Sequence, residues 1–214
     1  MEFNAFLDSI TKLKEKDLAA ATAHSLLAPP NRMDQLQSID FSKVASRKAA
    51  VLLHFYPSAA GKVNFVLIQR QVYEGVHSGQ VSFPGGKPEV QDNDLWATAL
   101  REAFEEVGLP SDQVKFVRSL SPLYVPPSNF FITPFVGYSE CLCEFIPEPN
   151  EVDAIIEISL KDLLDKRPVM TRQPLSSSDF IEVPAYVLNG YKVWGATAMI
   201  LSEFKMLITG GLYK

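Results

Sequence analysis

Residues 85 to 109 read GGKPEVQDNDLWATALREAFEEVGL. The stretch pairs a Gly-Gly turn with one amphipathic helix, expected from about Asp94 to Val107 and stopped by Gly108. Glu102, Glu105 and Glu106 stand at i, i+3 and i+4, so their side chains are expected to converge on one face. Leu100, Ala103, Phe104 and Val107 take the opposite face at core spacing. Like charges four residues apart repel, and helix stability alone does not favour three carboxylates there. A hard divalent cation, Mg2+ or Mn2+, suits such oxygen ligands. An ordinary solvated helix face is the bland alternative, and Arg101 paired with Glu105 at i+4 eases the repulsion.

The context decides between them. Arg-Glu-apolar-x-Glu-Glu-x-Gly-apolar, spanning Arg101 to Leu109 and preceded by Phe83-Pro84-Gly85-Gly86, resembles the Nudix box. The resemblance implies a Nudix-type α/β/α sandwich with a mixed β-sheet. It implies that Gly86 offers a backbone carbonyl to the metal and that Glu102, Glu105 and Glu106 hold one or more ions. Arg101 is then an orienting residue, tied to the glutamates by a salt bridge. The general base is left between Glu102 and Glu151, the latter in Pro149-Asn150-Glu151-Val152. Glu151 reads equally well as an exposed loop acid. Gly85 and Gly86 let the backbone approach a phosphate closely.

Upstream, Val66-Leu67-Ile68-Gln69-Arg70 and then Gly79 precede Phe83-Pro84-Gly85-Gly86 at fixed spacing. This arrangement resembles the additional motif of the coenzyme A pyrophosphatase branch. The implied reaction cleaves coenzyme A or its derivatives into adenosine 3',5'-bisphosphate and a phosphopantetheine product. Arg70 is the candidate phosphate ligand through its planar fork of donors. His77 and Ser78 are candidate hydrogen-bonding groups, although His77 taken alone reads as a structural histidine. Gln71 stands where the motif has Ser or Ala, and Gly75 where it has a second arginine. Gly75 keeps another nucleoside-diphosphate substrate, such as ADP-ribose, in view. Asp92 occupies the first acid position of the box, with eight residues rather than seven before Arg101, an extension typical of this branch. A silent, ligand-sensing Nudix domain is disfavoured because all three glutamates are present. Pro122 to Phe130 and Pro134 to Gly137 also resemble the branch; Tyr124 and Phe130 serve equally as pocket lining or core, and Phe135 reads as core.

Bulk properties set the outer limits. The 214 residues suffice for one domain, taken as residues 47 to 214, with residues 1 to 46 as an N-terminal helical extension. A net charge of -5 argues against a nucleic-acid binder, which needs a basic surface. No apolar run reaches the ~20 residues of a membrane span, and the mixed-charge N-terminus lacks a signal-peptide core. Cys141 and Cys143, in Cys-x-Cys spacing, are expected to stay reduced, which suits a cytoplasmic protein. The expected partner is a small-molecule diphosphate, with homodimerisation left open.

Further elements follow from local pattern. Residues 2 to 28 read as helix, and residues 31 to 46 as a linker or a further short helix. Strands are expected at 49–56, 63–70, 80–83, 114–120, 131–138 and 155–158, and a short helix at 162–166. Asn189-Gly190 signals a two-residue hairpin between 185–188 and 191–194. Residues 196 to 208 close the chain as a helix, and 167 to 179 read as a polar loop.

Overall fold

The computed structural model describes residues 1–39, 45–72, 79–174 and 180–211. Eight strands form a mixed sheet: β1 (Arg47–Pro57), β2 (Val63–Arg70), β3 (Val81–Ser82), β4 (Gly85–Gly86), β5 (Lys115–Ser119), β6 (Leu123–Val125), β7 (Phe130–Tyr138) and β8 (Val152–Ser159). The main path runs β3-β2-β1-β7-β5, with β4 on β1, β6 on β7 and β8 on β2. β1 and β7 run parallel and the other pairs antiparallel. A second sheet, β9 (Val169–Pro174), β10 (Phe180–Leu188) and β11 (Tyr191–Trp194), precedes helix α6 (Gly195–Thr209).

Strand alternation divides the core into two layers. Leu53 and Phe55 of β1, with Phe65 and Leu67 of β2, face α6 through Met199, Ile200 and Phe204. Ala50 and Leu52 of β1 and Ile68 of β2 face helix α4 (Leu95–Val107) through Ala99, Ala103 and Val107. Helices therefore cover both faces of the sheet, as an α/β/α sandwich requires.

The N-terminal residues do not form one helix. They divide into α1 (Phe3–Ile10), a 3-10 turn at Thr11–Glu15, α2 (Ala20–Ser25) and α3 (Arg32–Ser38). The break has a tertiary cause: Arg118 donates to the carbonyls of Leu13 and Lys16, which takes up the orphan acceptors where the first segment ends. These pieces share the α6-side core. The Phe6 ring lies 5.0 Å from Phe55, which stacks 4.6 Å from Phe204. His24 and Ser121 converge on buried Glu203 of α6, at 3.2 Å and 2.5 Å.

Residues 169–174, read from sequence as part of a loop, form β9 instead. Its pairing with β10, from Val169↔Ala185 to Pro174↔Phe180, supplies hydrogen bonds that its polar composition does not advertise. Residues 175–179 of the same stretch lie outside the described residues. The Asn189-Gly190 hairpin forms as expected, with Leu188 opposite Tyr191 and φ values of 48° and 84° at the two turn residues. Helix α5 (Leu160–Asp165) starts two residues earlier than its sequence signal. No helix among the described residues is long and apolar enough to cross a membrane.

Candidate active site

Helix α4 is fixed at both ends by its own sequence. The Asp94 carboxylate accepts from the Ala97 N–H at 2.8 Å, and Gly108 closes the helix at φ 70° while its N–H donates to Ala103 and Phe104 carbonyls. The buried residues are Thr98, Ala99, Ala103, Glu106 and Val107. Phe104 is not among them: more than half of Phe104 is exposed, because the helix turns its Ala99–Ala103–Val107 edge to the sheet.

That rotation separates the three glutamates. Glu106 is driven inward, its side chain 1% exposed. Its Oε2 accepts from the Gly85 N–H at 2.8 Å and its Oε1 from Arg70 Nη1 at 3.2 Å. Burial pushes the Glu106 carboxyl up to about 7, with nearby Glu102 and Glu151 adding to the rise and the Gly85 N–H and Arg70 opposing it. Glu102 lies against Gly86, where a Cβ would overlap its carboxylate. Burial likewise raises Glu102, Arg101 pulls it down, and Glu105 and Glu151 push it further up. Glu105 is half exposed and meets Arg101 Nη1 at 2.7 Å.

Arg101 connects the cluster. It contacts Glu102 at 3.1 Å and Glu105 at 2.7 Å, as an orienting residue should, but it also grips Asp92. Nε lies 3.0 Å from Asp92 Oδ1 and Nη2 3.1 Å from Oδ2, while Nη2 also donates to the Lys87 carbonyl at 2.8 Å. Arg101 pulls Asp92 down to about 2, assisted by the Glu89 N–H and the Thr98 hydroxyl. The sequence puts Asp92 at the first acid position of the box, but this clamp depends on the fold. The box spacing was the available signal.

The remaining groups come from distant segments. Gly85 and Gly86 pair with Val51 and Ala50 of β1, and Gly85 adopts φ 152°, where a Cβ would strike the Ala50 carbonyl. Arg70 sits where the β2–β8 register slips between Gln69 and Arg70, an irregularity that re-aims a side chain. Glu151 is brought in by backbone bonds: Glu148 N–H to the Glu106 carbonyl and Gln71 N–H to the Glu151 carbonyl, both at 3.0 Å. Arg70, Gly85, Gly86, Arg101, Glu102, Glu106 and Glu151 thus gather at one place, with Glu105 on its solvent side. His77, Ser78 and Gly75 lie outside the described residues. Phe135 is buried between β1 and α4, and Tyr124 is buried. Phe130 is partly exposed beneath Arg47 and Lys87, whose cationic groups stand 4.2 and 5.9 Å from its ring centre.

Among the described residues, no three His, Cys, Asp or Glu side chains are gathered tightly enough to hold a metal ion. The expected convergence of the glutamates is therefore incomplete: Arg101 draws Glu105 outward, while Gly85 and Arg70 hold Glu106 inward. The donor chemistry nonetheless suits a hard divalent cation: beside a glycine backbone stand carboxylates raised chiefly by burial, with neighbouring carboxylates adding to the rise.

Residues 46–176 match the model of the NUDIX domain. The chain is 34% identical over 172 residues to mitochondrial Nudix hydrolase 15 of Arabidopsis thaliana, covering 77% of this chain but only 59% of that protein. It is 31% identical over 192 residues to the uncharacterized Nudix hydrolase NudL of Pectobacterium atrosepticum, covering 88% of this chain and 92% of the relative. Among solved structures, the Nudix hydrolase RenU of M. Smegmatis shares the fold with a TM-score of 0.54 at 15% identity, over 77% of this chain and 87% of that one. Sequence and architecture agree, and the chain belongs to the Nudix hydrolase family.

Proposed function

We propose that the protein hydrolyses the diphosphate bond of coenzyme A or a derivative, with Mg2+ or Mn2+, to adenosine 3',5'-bisphosphate and 4'-phosphopantetheine or its acyl form. The carrying observation is the 3.2 Å contact between Arg70 and Glu106. Arg70 belongs to the upstream motif that resembles the coenzyme A branch, and Glu106 to the Nudix box. Their contact supports reading the two motifs as one substrate site.

Each residue then has a chemical part. Glu102, Glu105 and Glu106, with the Gly86 carbonyl, are the proposed metal ligands. A bound divalent ion would neutralise diphosphate charge and lower the pKa of a water. Arg70 holds a substrate phosphate through charge-assisted hydrogen bonds. The glycines at 85 and 86 let the Ala50 carbonyl and the Glu102 carboxylate pack directly on the backbone of β4. Arg101, fixed by Asp92, keeps Glu102 and Glu105 in place. Glu151 or Glu102 takes the proton of the attacking water, and the water oxygen bonds to phosphorus as the bridging P–O bond breaks.

The test is product chromatography of the purified protein with coenzyme A, ADP-ribose and diadenosine polyphosphates. Adenosine 3',5'-bisphosphate appearing fastest from coenzyme A is the expected result. Cleavage of ADP-ribose alone would overturn the substrate assignment and give weight to Gly75.

A further inference from the structure

A cavity of about 380 Å³ lies where the β3 edge of the main sheet meets the β9–β11 sheet. Gln69, Gln80, Gln173, Tyr191, Lys192 and Trp194 carry its chemistry. The volume falls within the range of small-molecule sites. Among the described residues that line it none is acidic, although the chain as a whole carries a charge of -5. Two aromatic residues line it, Tyr191 also packing on the α6-side core, and so do three glutamines, of which Gln173 donates through Nε2 to the Thr171 hydroxyl at 3.2 Å. That combination suits a heteroaromatic ring with edge hydrogen-bonding groups. Lys192 has no ion-pair partner among the described residues, and α6 begins beside the cavity at Trp194, whose side chain cannot cap the helix N–H groups. Both features favour an anionic substituent next to the ring.

The cavity is tied to the candidate active site by two consecutive residues. Arg70 turns toward Glu106 on the α4 face, whereas Gln69 lines the cavity. Strand alternation sends neighbouring side chains to opposite faces. A molecule bound at both places must therefore straddle the end of β2.

We infer that the cavity receives the nucleobase end of the substrate, with Tyr191 and Trp194 against the base, the three glutamines on its edges and Lys192 on a ribose phosphate. This inference rests on the proposed diphosphate hydrolysis, since it divides one substrate between two faces. It adds Gln173, Tyr191, Lys192 and Trp194, which lie outside both sequence motifs, as specificity determinants.

Two experiments test it separately from the chemistry. Calorimetry in EDTA, without turnover, measures binding of adenosine 3',5'-bisphosphate, AMP and inorganic phosphate. Lys192→Ala is expected to weaken the bisphosphate about tenfold and AMP less than about twofold. Gln173→Ala and the conservative Trp194→Phe are expected to weaken both nucleotides. No binding of the bisphosphate, unchanged affinities in all three variants, or phosphate alone binding as tightly would overturn the subsite. In turnover, Lys192→Ala should raise KM for coenzyme A about tenfold with kcat little changed, and leave dephospho-coenzyme A unaffected. Equal effects on both substrates would remove the phosphate role of Lys192. If no diphosphate is cleaved, the proposed function fails, and calorimetry still decides whether the cavity binds a nucleotide.

Discussion

Arg70 and Glu106 meet at 3.2 Å across 36 residues of sequence, one at the end of β2 and the other on the buried side of α4. The pair joins a partly buried cation to a carboxylate that is almost wholly enclosed. Arg70 opposes the rise in the Glu106 pKa without cancelling it, so burial leaves this carboxyl at about 7. Neutralisation by one partly exposed arginine is incomplete, and the enclosed charge retains a cost.

That cost has a sign that can be measured in metal-free protein. An unfolded glutamate titrates at about 4.5 and folded Glu106 at about 7. Between these values the folded chain holds a proton that the unfolded chain has lost, so this group's contribution to stability falls as pH rises. Glu106→Gln should therefore be more stable than the parent at pH 8.5, by on the order of 2–3 kcal/mol, and indistinguishable at pH 4. Urea denaturation in EDTA at the two pH values checks this; equal differences at both would mean Glu106 is not held ionised at cost.

Glu105 behaves differently because it is half exposed and, among the described residues, its ion pair is with Arg101. Glu105→Gln should leave urea stability within about 0.5 kcal/mol, as surface changes generally do. Turnover should nevertheless fall on the order of 10²–10³-fold, the range for losing a group that stabilises transition-state charge. Normal turnover in this variant would remove Glu105 from the proposed metal set.

Gly86 has no left-handed backbone requirement, so a substitution there acts through space. The added methyl of Gly86→Ala overlaps the Glu102 carboxylate. A stability loss of about 1–3 kcal/mol is expected from the overpacking, with turnover reduced more than in Gly79→Ala. A Gly86→Ala enzyme with parental kinetics would show that Glu102 can move aside freely.

His54 offers an acid-side test away from the candidate site. It is fully buried, stacked on Tyr56, bonded through Nε2 to Ser139 at 2.8 Å, and its Nδ1 has no hydrogen-bond partner among the described residues. Burial pulls its pKa down from 6.5 to about 3. Below pH 6.5 the unfolded chain gains a proton that the folded chain refuses, so stability falls with pH until about 3. The parent should lose up to about 1.4 kcal/mol per pH unit relative to His54→Phe across that window. Parallel stability curves for the two proteins would contradict the buried neutral state.

The parts of the fold legible in the sequence are those whose chemistry is local. Asp94 and Gly108 bound α4, and Asn189-Gly190 makes its hairpin, because each acts within a few residues of chain. The exposed face of Phe104 was not legible, since helical periodicity does not say which apolar edge the sheet selects. Nor was β9, whose strand character comes from β10. In the candidate site, the box spacing pointed to the glutamates and to Arg101. It did not show that Arg70 and Gly85 would hold Glu106 apart from Glu105. The cavity residues Gln173, Tyr191 and Trp194 belong to no motif, and only folding brings them beside Gln69.

The central claim is metal-dependent cleavage of coenzyme A at its diphosphate. Mass spectrometry of the products, with Mg2+ and then with EDTA, in the parent and in the Glu102→Gln/Glu106→Gln double variant, addresses it most directly. Equimolar adenosine 3',5'-bisphosphate and 4'-phosphopantetheine from the parent with Mg2+, and neither product with EDTA or from the double variant, is the predicted result. Intact coenzyme A in every sample, or equal product with and without metal, would contradict it.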